Sequence, residues 1–382
     1  MKARSATLRA DARTVKVAFI AGNITSFLLA TVLVGFLVLR IGPDAFLNKL
    51  SRAYHLAVGD VQVLDLPAEV RAELVSLGAV VENADNPTGA RGHDTILTKR
   101  DPELGWALRP DARISGFVLK AENPLNWNPP IIYLPAGQLG SSRLQQYLKS
   151  HSRLQYAYSI DAQGFRVTLP RVQSPHKILL VGDSVLFGVG VNDDATIASQ
   201  LQRILGNSAQ VVNAGVGGYN GPQLWERADR LSRDGAYDAL VYVACQNDFM
   251  VSKEGPYVGQ AKASMEHFGA LGGRFPRGVL VLLQTTMEYV LYDVLLDSGG
   301  WPREMIEGSE QLRRELPLLA SSHGLGYLDW SQIVDAFELD QGSVFARFAL
   351  YTDHVHLSPL GNRLAAESIC RGLQAGPCGA AR

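Results

Sequence analysis

The C-terminal half of this sequence predicts an α/β fold in three layers, with helices on both faces of a parallel sheet. Three observations predict it. From His176 onward, short apolar runs alternate with stretches of helical spacing; the runs are apolar at nearly every position; and clusters of glycine and polar residues follow directly after them. A strand that is apolar throughout is buried on both faces, which the helical crossovers of a parallel sheet provide.

The elements follow in order. "KILLVG" from Lys177 reads as a first strand, and "ATIASQLQRILG" after it has the apolar spacing of a helix. "AQVVNAG" is a second strand, followed by a helix around "GPQLWERADRLSRDG". "DALVYVAC" and "GVLVLLQTT" are the third and fourth strands. The helix "REMIEGSEQLRRELPLLASSHG" leads to a fifth strand, "LGYLDW", and "GNRLAAESICRGL" closes the domain, expected over residues 176–375 with a short tail at 376–382. The stretch from Phe249 to Arg277 is either a cover over the strand ends or an ordinary crossover helix with a long loop.

At 382 residues the chain exceeds one ordinary domain, so a second module is expected. Residues 44–170 fill that place and read as irregular, with short periodic pieces broken by proline and glycine. Their aromatic residues, among them Trp106, Trp127, Tyr133 and Tyr147, are expected in a core, with stacking on sugar rings as the alternative. Farther upstream, Val17–Leu39 carries no charge and is long enough, at about 1.5 Å per residue, to cross a bilayer core of about 30 Å. A transmembrane anchor is therefore expected at 17–41; a cleaved signal peptide and a buried helix are the alternatives. Lys2, Arg4, Arg9, Arg13 and Lys16 stand against one acid, Asp11, which places residues 1–16 in the cytoplasm and the rest of the chain beyond the membrane.

Composition excludes some functions. A net charge of −1 offers no basic field for nucleic acid. Cys245, Cys370 and Cys378 lack zinc-ligand or C-x-x-C spacing, so neither a metal nor another cofactor is expected. In an oxidising compartment Cys370 and Cys378 have the spacing to close a small loop.

Ligands of parallel sheets gather at the carboxyl ends of the strands. There the sequence places "GDS" (182–184), "NAGVGGYNG" (213–221), "CQND" (245–248) and, near its end, "TDHVHLSPLG" (352–361). These are a hydroxyl, flexible backbone amides, a carboxamide and a histidine three residues after an aspartate. Acyl transfer needs such a set: a nucleophile, donors for an oxyanion, and a base with an orienting partner. Taken singly each piece is bland, since Asp183 or Ser184 can cap a helix, Asn247-Asp248 can form an Asx turn, and His356 can be a surface residue. The pattern lacks the second glycine of a Gly-x-Ser-x-Gly elbow, and it contains no phosphate-binding glycine loop.

With its four blocks in this order, the chain resembles the SGNH hydrolases, a branch of the GDSL esterase/lipase family, over roughly residues 176–375. That resemblance implies a flavodoxin-like sheet and a serine esterase. Ser184 is then the nucleophile, His356 the base and Asp353 its partner. The Ser184 amide, the Gly218 amide (with Gly217 as second choice) and the Asn247 side chain form the oxyanion hole. Tyr219 and Asn220 are expected to line the cleft, Asp183 to be structural and His354 to lie at the rim. Cys245 stands where the family usually has glycine, and simple packing is expected of it. The resemblance implies an ester substrate, with O-acyl groups on extracytoplasmic carbohydrate preferred. An acyltransferase of a polysaccharide O-acylation system and a non-catalytic glycan-binding scaffold of an export complex remain open. The expected partners are the membrane, the acylated carbohydrate and proteins of such a system, with the catalytic domain facing the periplasm or cell exterior.

Overall fold

The stretch expected to be an irregular module carries a sheet of its own. The structure, a computed structural model, describes residues 66–82, 95–120, 129–249, 257–284, 303–343, 346–353 and 355–373. The expected anchor, Trp127, His354, Cys378 and the tail lie outside these residues. No helix among the described residues is long and apolar enough to cross a membrane.

Helix α1 (Ala68–Ser76) leads to β1 (Val80–Glu82), the hairpin of β2 (Thr98–Asp101) and β3 (Gly105–Leu108), and then β4 (Arg113–Leu119) and β5 (Ile131–Pro135). Helix α2 (Ser142–His151) starts where the Ser141 hydroxyl accepts from the Leu144 amide, and runs into β6 (Ser152–Ser159). β1, β5, β4 and β6 pair antiparallel in that order. Side chains alternate across a strand, and here both faces are covered. Phe117, Leu119, Ile132 and Leu134 pack with Val70 and Leu74 of α1 and with Leu144 of α2, whereas Ile114, Val118, Ile131 and Tyr133 join a second core shared with the rest of the chain. Burial on both faces erases the polar alternation that would have marked these strands, so this region looked irregular in sequence.

The C-terminal half has the predicted parallel sheet. It contains β7 (Lys177–Gly182), α3 (Ser184–Phe187), α4 (Ile197–Leu205), β8 (Gln210–Asn213), α5 (Gly221–Asp234), β9 (Ala239–Cys245), α6 (Tyr257–Leu271), β10 (Val279–Gln284), α7 (Arg303–Ser322), β11 (Gly326–Asp329), α8 (Trp330–Gln341) and α9 (Pro359–Leu373). The strand order is β11-β10-β9-β7-β8, all parallel. Every residue of β9 and β10 is buried, as their uninterrupted apolar sequences require. Helix α6 shows the segment after "CQND" to contain a crossover helix. The chain passes from β7 outward to β8 and then back across to β9, so strand order reverses beside β7, the position at which such sheets bind ligands.

The two halves share a core. Leu104, Leu108, Tyr133, Tyr156 and Tyr158 from the first pack with Leu179, Val181, Phe187 and Val216 from the second. Arg166, fully buried, pairs with Asp193 at 3.1 Å and lies over the rings of Tyr158 and Phe187 at 4.2 and 5.0 Å. Cys245 is a buried thiol in the other large core, as simple packing predicts, and Cys370 is disulfide-bonded.

Candidate active site

Strand β7 ends at Gly182, and the chain turns at once into α3. Asp183 makes the turn: fully buried, it caps the helix by accepting the Val185 amide at 2.9 Å, the structural place expected of it. Ser184 is thereby fixed as the first helical residue, its hydroxyl resting on the other Asp183 oxygen at a long 3.4 Å. Glycine at 215 is what allows the neighbouring loop so close, since a Cβ there would stand 2.4 Å from the Phe187 nitrogen.

That loop carries Gly217 and Gly218 to the serine. A Cβ on Gly217 would lie 3.9 Å from the Ser184 Cβ, and Gly218 has φ +79°, a left-handed conformation natural to glycine. Among the described residues, the N–H groups of Ser184, Gly217 and Gly218 donate to no protein acceptor. Asn247 belongs to the short turn Gln246–Phe249 directly after β9, at the same edge of the sheet, and its side chain lies outside the described residues.

The histidine arrives from the other side. His356 Nδ1 lies 2.7 Å from Asp353 Oδ2, while Asp353 Oδ1 accepts the His356 and Val355 amides at 2.7 and 2.9 Å. A carboxylate only accepts, so Nδ1 carries the hydrogen and Nε2 is left bare. Nε2 is buried and has no protein partner among the described residues. Burial disfavours the imidazolium and is the largest influence on it. The Asp353 carboxylate, by charge and by hydrogen bond, opposes this together with Asp183 and Glu82, and the net pKa stands above the ordinary 6.5.

Ser184, His356, Gly217 and Gly218 line one cavity of about 380 Å³. Ser184, His356 with its Asp353 partner, and the two glycines expected at an oxyanion hole are thus brought to one place. Tyr219 and Asn220 are not. Tyr219 is fully buried, its hydroxyl donating to the Trp106 carbonyl, and Asn220 caps α5 in a reciprocal pair with Gln223, so neither lines the cavity. The reason is local: Gly218 turns the chain inward, which sends the next side chain into the core and leaves the one after it at the helix start.

Several contributors were not read from the sequence. Gln284, at the end of β10, donates to the Val355 carbonyl at 2.9 Å and accepts from the Cys245 thiol at 3.3 Å, tying the histidine loop to the sheet. A polar residue closing an apolar strand was the available signal. Arg153 of β6 donates to the Thr352 carbonyl at 2.7 Å. Trp106 donates its indole N–H to the Gly217 carbonyl at 3.2 Å and also lines the cavity, whereas Tyr147 stacks on His151 at 4.1 Å, away from it. Glu82 faces the cavity as well, its carboxylate accepting from the Tyr133 hydroxyl at 2.9 Å. No local motif announces these last residues.

No family model and no curated protein matches the chain. Among solved structures it is similar to LAE5, an α/β hydrolase from the metagenome of Lake Arreo, at 16% identity, covering 54% of this chain and 96% of that one, with a TM-score of 0.41. It is also similar to a carbohydrate acetylesterase family member from Sinorhizobium meliloti (17% identity, 52% and 98% covered, TM-score 0.39). A third is a member of the lipolytic G-D-S-L family from Veillonella parvula (17% identity, 50% and 94% covered, TM-score 0.39).

Proposed function

We propose that the chain is a serine esterase whose nucleophile is Ser184. One observation carries this reading: an aspartate-held histidine with a bare, unpartnered nitrogen and a serine at a strand-to-helix turn line a single cavity, beside glycine amides that have no acceptor of their own.

In this mechanism, rotation of the Ser184 side chain exchanges its long contact with Asp183 for one with His356 Nε2; such bonds commonly tighten only when substrate is bound. The oxygen attacks the acyl carbonyl as Nε2 takes the hydroxyl proton. Asp353 holds the ring and stabilises the imidazolium without itself taking the proton. The oxyanion receives the amides of Ser184 and of Gly218 or Gly217, with the Asn247 carboxamide as the third donor. Collapse breaks the ester C–O bond, and the departing alcohol takes the proton from His356. Water then attacks the acyl-serine, passing a proton to Nε2; the acyl C–Oγ bond breaks as Ser184 takes that proton from His356, and the carboxylic acid is released.

The substrate we propose is an O-acyl group on carbohydrate outside the cytoplasm, with the chain held to the inner membrane by 17–41. The uncharged run and its basic flank support the anchor. The test is kinetic, on p-nitrophenyl acetate with the full-length chain. Ser184→Ala is expected to abolish turnover, and Asn247→Ala to lower kcat by about a hundredfold or more with modest change in KM. An unchanged kcat in Ser184→Ala removes the assignment.

A further inference from the structure

The cavity that holds Ser184 and His356 has a second wall, and it comes from the N-terminal sheet. In β1 the side chain of Val81 enters the core beneath α1 and α2, so Val80 and Glu82 project from the opposite face, and both line the cavity. Tyr133, opposite Val80 on β5, is buried and gives its hydroxyl to one Glu82 oxygen. The other oxygen has no protein partner among the described residues. Glu82 is exposed at its strand end, where it lines the cavity.

Thr98 and the half-buried Trp106 continue this wall. The Trp106 N–H is already committed to Gly217, which leaves the ring as an apolar surface beside the oxyanion loop. A carboxylate held by a tyrosine, a threonine and an indole ring form a surface that takes hydroxyl donors on one part and C–H groups on another. An alkyl chain would strand the Glu82 oxygen without a donor, at a cost that a hydroxyl avoids. The cavity volume is also at the small end of ligand sites, which run from about 300 to 1,000 Å³.

We infer that this wall is a polyol subsite, in which Glu82 accepts a hydroxyl of the alcohol part of the ester while Trp106 packs against its ring, so that the substrate class is an acylated carbohydrate and not a lipid. The inference rests on the serine-esterase reading for its chemistry and on the N-terminal sheet for its recognition.

Two acetate esters of matched size test it on the full-length chain: methyl glucoside 6-acetate and cyclohexylmethyl acetate, which lacks the hydroxyls. The readout is the ratio of their kcat/KM values, in which any effect of Glu82 on His356 cancels. The wild-type ratio is expected to favour the glucoside by about tenfold or more, and Glu82→Gln to cut that ratio by about tenfold, as loss of a charge-assisted hydrogen bond does. Tyr133→Phe, which leaves Glu82 in place without its anchor, is expected to fall between. A wild-type ratio near one, or a ratio that Glu82→Gln leaves unchanged, overturns the subsite while the esterase reading stands. If neither ester is turned over, the esterase reading fails. The subsite is then decided by saturation-transfer NMR: methyl glucoside binding that Glu82→Gln abolishes supports it, and equal binding by both proteins overturns it.

Discussion

The imidazole of His356 works under two opposed influences, burial and the carboxylates around it, and the carboxylates prevail. In the proposed mechanism it acts as a base and must be neutral, so kcat/KM is expected to rise with pH through a midpoint above 6.5. Asp353→Asn removes both the charge and the correct tautomer. It is expected to lower kcat by about 10³–10⁴-fold and to move the midpoint downward, which a pH–rate profile reads. The same shift bears on stability. A histidine whose pKa is raised by folding stabilises the fold fully below its unfolded value, and that contribution is lost as pH rises through the folded one. Ser184, Asp353 and His356 were legible in sequence because chemistry at the end of an apolar strand, or three residues from a histidine, is a local pattern. Glu82 was not, and Trp106 was expected only in a core or stacked on a sugar ring, because what makes them neighbours of Ser184 is a sheet pairing and a shared core.

Among the elements, the turns after the strands carry the tightest requirements. Gly215 lets its loop lie against the start of α3, where a Cβ would meet backbone that has no side chain to yield. Gly215→Ala is expected to destabilise by about 1–3 kcal/mol and to lower activity by displacing Gly217 and Gly218, read from a denaturant midpoint alongside kcat. After β9, the buried Asp248 accepts from the Tyr242 hydroxyl at 2.8 Å and the Cys245 amide at 2.9 Å. Burial, with the Asp183 charge, holds its pKa well above 3.8, so the folded chain keeps a proton that the unfolded chain releases. Stability from this group accordingly falls as pH rises above 3.8. Asp248→Asn, isosteric and neutral, is expected to flatten that dependence, whereas Asp248→Ala leaves two buried donors unpaired and costs about 1–3 kcal/mol at any pH, as denaturation at pH 5 and pH 8 would show. The strands of the parallel sheet and the helices α4, α5, α7 and α9 were legible because their periods survive in sequence. In β4 and β5 the period was hidden, since a residue on either face meets a core.

At the scale of the molecule, the region that reads as an accessory module is half of the site. It contributes core residues shared with the sheet, the Arg153 tether on the histidine loop, the Trp106 bond to the Gly217 loop and the Glu82 wall. A fragment of residues 176–382 is therefore expected to be poorly folded, with a lower thermal midpoint or aggregation by circular dichroism and gel filtration, because apolar faces of Leu179, Val181 and Phe187 lose their cover. Nothing in the sequence signals that the two halves close around a common cavity. In the proposed mechanism Ser184 becomes a nucleophile through His356. This activation is tested most directly by treating the full-length chain with a fluorophosphonate and mapping the adduct by peptide mass spectrometry. One adduct is expected, on Ser184, with its formation slowed by orders of magnitude in His356→Ala. A chain that stays unlabelled, or is labelled at Ser184 equally fast without the histidine, contradicts it.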